Sequence, residues 1–353
     1  MHDRRIHRGT AAGVSAVAVA LILAACSSAG GGSPSGGGSS STLNASGSTL
    51  QLPFEQAAIQ QFKQTNPNMT VNYGGGGSGK GRTDLASGVV NFAGSDSPIP
   101  SDEVSNFKGK KVLYFPILAS PITVSYNLSG VSKLQLSPDV IANIFQGKIK
   151  KWNDPAVKAD NPGVKLPSTA ITIAHRSDSS GTTANFSAFL VAASKDWKLG
   201  TSSTINWPAN SRGGDGNGGV ASIIKSTSGA IGYVDFADAK AAGLTYASVK
   251  SKDGKYLPPS SAGASAALSQ VTPKSDLTFS SVWEPGATSY PITAPSWVLV
   301  YAKQPNASDV KNLKAYIGYL EGAGQSLLPS LGYAKVSSNL DQQAKAQLGQ
   351  ISS

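Results

Sequence analysis

Along this chain an apolar, β-branched run repeatedly breaks into a short polar loop and resumes as an amphipathic stretch. Thr169–Ala174 leads into Arg176-Ser-Asp-Ser-Ser-Gly-Thr182 and then into Asn185–Val191. Thr42–Ala45 leads into Ser46-Gly-Ser-Thr49 and a predicted helix over Leu52–Gln64, with Phe54, Ala58 and Phe62 on one face. Met69–Tyr73 leads into Gly74–Gly79 and a short helix ending near Ser87, and Asn91–Gly94 ends at Ser95-Asp96-Ser97-Pro98. Strand, loop, helix in that order implies an α/β fold with parallel strands and right-handed crossovers. The loops of such sheets collect at the carboxyl ends of the strands, where ligands bind. Unpaired amides and the helix dipole make each loop-to-helix junction attractive to a small anion. Arg176 adds a planar fork of donors that matches two oxygens of one anion. The alternative for this segment is a capped helix beside a surface arginine.

With 353 residues the chain can bury ample core and is expected to form two lobes. Residues 1–25 stand apart from them. Arg4, Arg5 and Arg8 precede an uncharged run from Gly9 to Ala25, short for a membrane span and flanked as an export signal is. Leu23-Ala-Ala-Cys26 resembles the lipobox of bacterial lipoproteins, which marks Cys26 as the lipidated first residue of the mature chain. The competing reading is a secreted protein with one buried cysteine. Residues 26–41, almost all Gly and Ser after Cys26, read as a flexible tether. The expected location is the extracytoplasmic face of a cell membrane, held there by acyl chains.

Cys26 is the only cysteine, so the folded body is expected to have no disulfide, thiol nucleophile or cysteine metal site. His2 and His7 lie in the signal, leaving His175 as the one histidine of the body. Neighbours in a strand point to opposite faces, so His175 faces away from any site that Arg176 faces. The formal charge is +10, and loss of residues 1–25 removes three Arg and one Asp to leave +8. The lysines are scattered, and the one basic knot, Lys148-Ile-Lys-Lys-Trp152, is short. The charge therefore points to small anions or anionic headgroups, with no nucleic-acid partner expected.

A second set of elements follows Val112–Asn127, an apolar stretch broken by Pro116 and Pro121. Helices are predicted over Pro138–Phe145, Asn185–Ser194, Gly219–Lys225 and Val310–Glu321, and strands over Ile171–Ala174, Ala230–Val234 and Pro291–Tyr301. The two long apolar stretches are natural crossings between lobes. They divide the body into a discontinuous lobe 1, residues 42–125 with 292–353, and lobe 2, residues 126–291.

Gly74-x-x-x-x-Gly79-Lys80 comes close to a P-loop, but Gly81 replaces the Ser or Thr that binds magnesium. What survives is a glycine-rich loop in which Ser78 and its neighbouring amides can cradle an oxyanion. Thr49 offers a hydroxyl and Leu50 an orphan amide; for Thr49 and Ser78 plain helix capping is the alternative. Asp96 is an acceptor among donors. Beside a bound anion it is repulsive unless the anion carries a proton, as phosphate does near neutral pH and sulfate does not; otherwise Asp96 is an ordinary turn aspartate. Ser222-Ile-Ile-Lys225 has Ser-x-x-Lys spacing without companion motifs, and neither a Gly-x-Ser-x-Gly elbow nor a metal-suited carboxylate cluster is present. The donors are set out for binding, so no catalysis, cofactor or metal is expected.

These loops together resemble the PstS family, the phosphate-binding proteins of high-affinity phosphate ABC transporters. The likeness spans roughly residues 43–335. It is carried by Ala45-Ser-Gly-Ser-Thr49, Tyr73–Ser78, Phe92-Ala-Gly-Ser-Asp96, Ile144–Pro155, Arg176–Thr182, Gly229–Asp235 and Pro291-Ile-Thr293. The resemblance implies a two-lobed periplasmic-binding-protein (Venus flytrap) fold of type II, two mixed sheets flanked by helices with a double hinge. It places phosphate between Thr49, the Leu50 amide, Ser78 and Asp96 on one side and Arg176, Ser180, the Gly181 amide and Thr182 on the other. Asp178 would hold the arginine in place. Leu50 stands where the family has an aromatic, and Lys80 where it has a small residue. The implied partners are inorganic phosphate and an ABC permease, with the protein a monomer. The rival functions are a secreted phosphatase on the same scaffold and a binder of sulfate, molybdate or a phosphonate.

Overall fold

The structure is a computed structural model and describes residues 41–353. The export signal, Cys26 and the tether up to residue 40 lie outside the described residues. The chain runs β1 (Ser41–Gly47), α1 (Leu52–Thr65), β2 (Met69–Gly76), α2 (Ser78–Ala86), β3 (Phe92–Ser95) and a long β4 (Val112–Tyr126). It continues through β5 (Gln135–Leu136), α3 (Pro138–Phe145), α4 (Pro155–Asp160), β6 (Thr172–Arg176), α5 (Gly181–Ala193), β7 (Ser211–Gly214), α6 (Gly216–Ser226) and β8 (Ala230–Asp235). Next come α7 (Phe236–Ala241), β9 (Thr245–Tyr246), β10 (Ser248–Lys250), β11 (Tyr256–Leu257), α8 (Ser261–Leu268), β12 (Ser281–Val282), β13 (Ile292–Tyr301) and α9 (Ala307–Leu320). Ser41 already pairs with Met69, so the first strand starts where the tether was expected to end.

The local reasons are those the sequence suggests. Pro53 opens α1, Phe54, Ala58 and Phe62 recur on its buried face, and Asn66-Pro67 follows its end. Helix α3 covers Pro138–Phe145 as expected, whereas α5, α6 and α9 begin earlier than the periodicity indicated. Helix α5 starts at Gly181, not Asn185, and α6 at Gly216, not Gly219. Glycine and hydroxyl residues dilute the apolar pattern in these first turns, yet their backbones are helical.

The main sheet runs in the order β2-β1-β3-β13-β4-β8-β6-β7. Strands β1, β2 and β3 are parallel, as are β6, β7 and β8, so each half of the molecule has its own set of carboxyl ends. Strand β4 joins the halves: Val112–Pro121 pairs with β13 and Ile122–Tyr126 with β8, both antiparallel. The sheets of the two halves thus form one continuous strand path, and a small second sheet, β11-β10-β5, lies apart from it.

Pro116 and Pro121 do not break β4, which is a single strand of 15 residues buried along nearly all its length. Proline lacks a ladder donor and is tolerated at irregularities. Pro116 sits at a register shift opposite Ser296 and Trp297, and Pro121 lies where β4 changes partner. Burial on both faces explains why β4 and β13 read as continuous apolar runs.

Candidate functional site

On the first half of the molecule the site is built from the loops that follow β1, β2 and β3. Asp96, one residue past β3, is 2% exposed. Its Oδ1 accepts from Ser48 Oγ at 2.6 Å and Ser296 Oγ at 2.5 Å, and its Oδ2 from Ser78 Oγ at 3.4 Å. Ser296 in turn accepts from Gln51 Nε2 at 3.0 Å, so its proton is directed onto the carboxylate. Burial pushes the Asp96 carboxyl above its ordinary value; the hydroxyls of Ser296 and Ser48, the Arg176 charge and Ser78 pull the other way. Arg82, buried and paired with Glu103 through Nε–Oε2 at 2.6 Å, donates to Ser95 Oγ and Ser97 Oγ at 3.3 and 3.2 Å and so fixes the turn that carries Asp96.

On the second half the site is the junction of β6 with α5. Arg176 closes β6, and its Nε and Nη2 donate to the two oxygens of Asp178, the Nε–Oδ1 bond being 2.7 Å. That fork-to-fork pair fixes the plane of the guanidinium, and Nη1 reaches Thr182 Oγ1 at 3.3 Å. Ser180 is the N-cap of α5, its hydroxyl accepting from Thr183 N at 3.1 Å. The Gly181 and Thr182 amides, in the first turn, have no acceptor among the described residues. His175, the neighbour of Arg176 in β6, has its ring stacked on Trp207 at 5.3 Å; burial lowers its basicity.

The two halves meet across a narrow space. Asn185 Nδ2 donates to the Asp96 carbonyl at 2.6 Å, Gly79 N to the Ser179 carbonyl at 2.9 Å, and Asn217 to Thr49 Oγ1. Gly181 shows how close the approach is. A Cβ there would lie 2.4 Å from Ser78 Oγ and 2.8 Å from Asp96 Oδ2, so any side chain would force the halves apart.

The residues named from the sequence as anion ligands lie around this space, though not every atom is placed as expected. The Leu50 amide is not an orphan: it donates to Ser48 Oγ at 3.0 Å, a local bond that serine offers two residues on. Ser48, not Thr49, serves the start of α1, and Ser78 bonds Asp96 instead of capping α2. Lys80 is exposed and pairs with Asp84 at 2.5 Å, one turn along α2. Ser48, Ser296, Arg82, Asn185 and Asn217 escaped the sequence reading. For Asn217 a signal existed: Gly213–Gly219 is one more glycine-rich run, and it spans the junction of a strand with a helix. Among the described residues no cluster of His, Cys, Asp and Glu could hold a metal ion.

Residues 32–321 match the family model described as a PBP superfamily domain. The phosphate-binding protein PstS of Methanocaldococcus jannaschii is 34% identical over 308 residues, covering 80% of this chain and 79% of the relative. The phosphate-binding protein PstS of Haemophilus influenzae is 33% identical over 312 residues, covering 87% and 92%. The chain belongs to the PstS family. Its resemblance to PstS proteins, read from the loops alone, is thereby borne out. The fold is that of the two-lobed periplasmic phosphate-binding proteins. A structure titled as a high-affinity periplasmic phosphate-binding protein (PfluDING) bound with phosphate matches with a TM-score of 0.73 at 20% identity, over 87% of this PstS member and 93% of that chain.

Proposed function

We propose that this protein captures inorganic phosphate between its two lobes, outside the cytoplasm, and hands it to an ABC phosphate importer. The single observation that carries the reading is the buried pairing of opposites: a guanidinium fixed by Asp178 on one side, and an unneutralised carboxylate, Asp96, on the other. A doubly charged anion with no proton would meet Asp96 as a repulsive neighbour. A hydrogen-bearing phosphate can donate its proton to Asp96 and accept from the other donors around it. The proposed ligands are the Thr49 hydroxyl, Ser78, Asp96, Arg176, Ser180, the Gly181 amide and Thr182. The Leu50 amide joins them by sharing its proton between Ser48 and the anion.

In this reading lobe 1 comprises residues 42–125 and 292–353, lobe 2 comprises residues 126–291, and hinge closure buries the anion. Cys26 carries the lipid that holds a monomeric receptor at the membrane, with residues 26–40 as its leash. Among the described residues no helix is long and apolar enough to cross a membrane. In this reading the donors stabilise a bound anion and the protein binds without catalysing; a chromogenic phosphoester is expected to stay intact.

Calorimetry at pH 7 against phosphate, arsenate, sulfate, molybdate and phenylphosphonate tests the assignment. Phosphate should bind and sulfate should not; equal affinity for the two would overturn it. One observation favours an anion with an organic substituent: a cavity of about 340 Å³ borders Asp96 and Asn185 and is lined by Phe279 and Trp297. Tighter binding of phenylphosphonate than of phosphate would establish that second reading.

A further inference from the structure

Asn217, the second residue of α6, is fully buried and bonds to groups remote from it in sequence. Its backbone N–H and its Nδ2 each donate to Thr49 Oγ1 at 3.3 Å, and Nδ2 also donates to Thr182 Oγ1 at 3.3 Å. Thr182 Oγ1 accepts in addition from Arg176 Nη1. A threonine hydroxyl has one proton and two lone pairs. Here the lone pairs face the donors of Asn217 and Arg176. Neither threonine hydroxyl donates to an acceptor among the described residues. Their protons are left for whatever occupies the space between the halves. The Asn217 Oδ1 is itself buried with no partner among the described residues, a further acceptor in the same place.

We infer that Asn217 is a positioning residue for the anion and a latch between the lobes. Its Nδ2 turns the Thr49 and Thr182 hydroxyl protons toward the bound anion. Because Thr49 follows β1 and Asn217 follows β7, the same bonds exist only when the halves are together. The orientation of the amide is decisive. With oxygen in place of Nδ2, both threonine protons would turn onto Asn217 and the anion would lose two donors. This inference rests on the phosphate reading above.

The test compares the full protein with Asn217→Ala, Asn217→Asp, Thr49→Val and the Asn217→Ala/Thr49→Val double variant, by calorimetry and stopped-flow phosphate release. Asn217→Ala should weaken phosphate binding about tenfold, the size of one or two lost hydrogen bonds. The loss should fall on the dissociation rate, with association changed less than about twofold. Asn217→Asp keeps the size and supplies an acceptor in place of the donor, so it should lose at least ten times more than the alanine variant. The double variant should lose less than the two single losses combined, because both act through the Thr49 hydroxyl, while the Thr182 proton still depends on Asn217. Alanine and aspartate variants that release phosphate within about twofold of the parent rate, or losses that simply add, would overturn the inference. Should Asn217→Ala fail to fold, the near-isosteric aspartate variant decides. A parent that binds no phosphate sinks the functional reading and this inference together; a parent that binds, with indifferent variants, sinks this inference alone.

Discussion

Arg176 and Asp96 face each other across the cleft and are about equally buried, at 4% and 2% exposed, yet their charges are handled in opposite ways. Arg176 brings its counter-ion with it: Asp178, two residues on, grips the guanidinium by both oxygens and is itself fixed by the Gly216 amide at 3.2 Å. Asp96 has no cation bonded to it. It accepts from Ser48, Ser296 and Ser78, and desolvation still pushes its carboxyl upward. The difference separates two tasks. A guanidinium with its charge already balanced can hold an anion through directional N–H bonds without depending on that anion for stability. A carboxylate held only by hydroxyls keeps its negative charge uncancelled, so in the phosphate reading an anion with no proton to donate to it is repelled.

The largest expected effect breaks the donor side. Arg176→Ala should reduce phosphate affinity by about 100-fold or more, since a charge-assisted pair is lost and the half-buried Asp178 is left without its partner. Arg176→Lys should recover only part of this, because an ammonium cannot fork. Calorimetry on both, with the melting midpoint as a folding control, checks it. Arginine-to-alanine affinity within threefold of the parent would remove Arg176 from the site.

The next breaks the acceptor side. Asp96→Asn supplies a donor where the parent supplies an acceptor, so the preference for phosphate over sulfate should collapse, measured as the ratio of the two dissociation constants. The sign with pH follows from the raised carboxyl. In the parent, protonated Asp96 becomes a donor, so sulfate should compete better as pH falls through the raised value, while the asparagine variant should show no such change. A parent ratio flat with pH and an unaltered ratio in the variant would both count against Asp96 as the discriminator.

The smallest sharpens the comparison with a buried acid outside the cleft. Glu55 accepts from Tyr316 at 2.5 Å, its other oxygen has no partner among the described residues, and burial raises it to about 7. Its native state holds the proton more tightly than the unfolded chain. The stability from protonated Glu55 is therefore complete below the ordinary value of 4.5 and is lost as pH rises through about 7. Glu55→Gln does not titrate. Its urea-unfolding stability should match the parent near pH 5 and exceed it by about 2 kcal/mol at pH 8. Parallel curves would show that Glu55 is not the group that titrates, and phosphate affinity should be unchanged throughout.

The parts of this protein legible in its sequence are those that local chemistry dictates. Alternating apolar runs and polar loops impose the parallel strands, and the turn of Arg176–Thr182 carries its own capping serine and its own arginine–carboxylate pair within a few residues. Asp96 was visible because a carboxylate stood among donors. Prolines misled, since the partner change that accommodates Pro121 lies in other strands. The remaining choices needed the folded chain. Ser296 reaches Asp96 from 200 positions away and Asn217 reaches Thr49 from 168, and no local pattern encodes which hydroxyl will face which lone pair at such separations. Hydroxyls and amides are equally content as caps, turns or ligands until packing removes water and leaves each with only a few partners in reach. Serine was everywhere in this sequence; burial chose Ser48, Ser78 and Ser296 to hold the carboxylate.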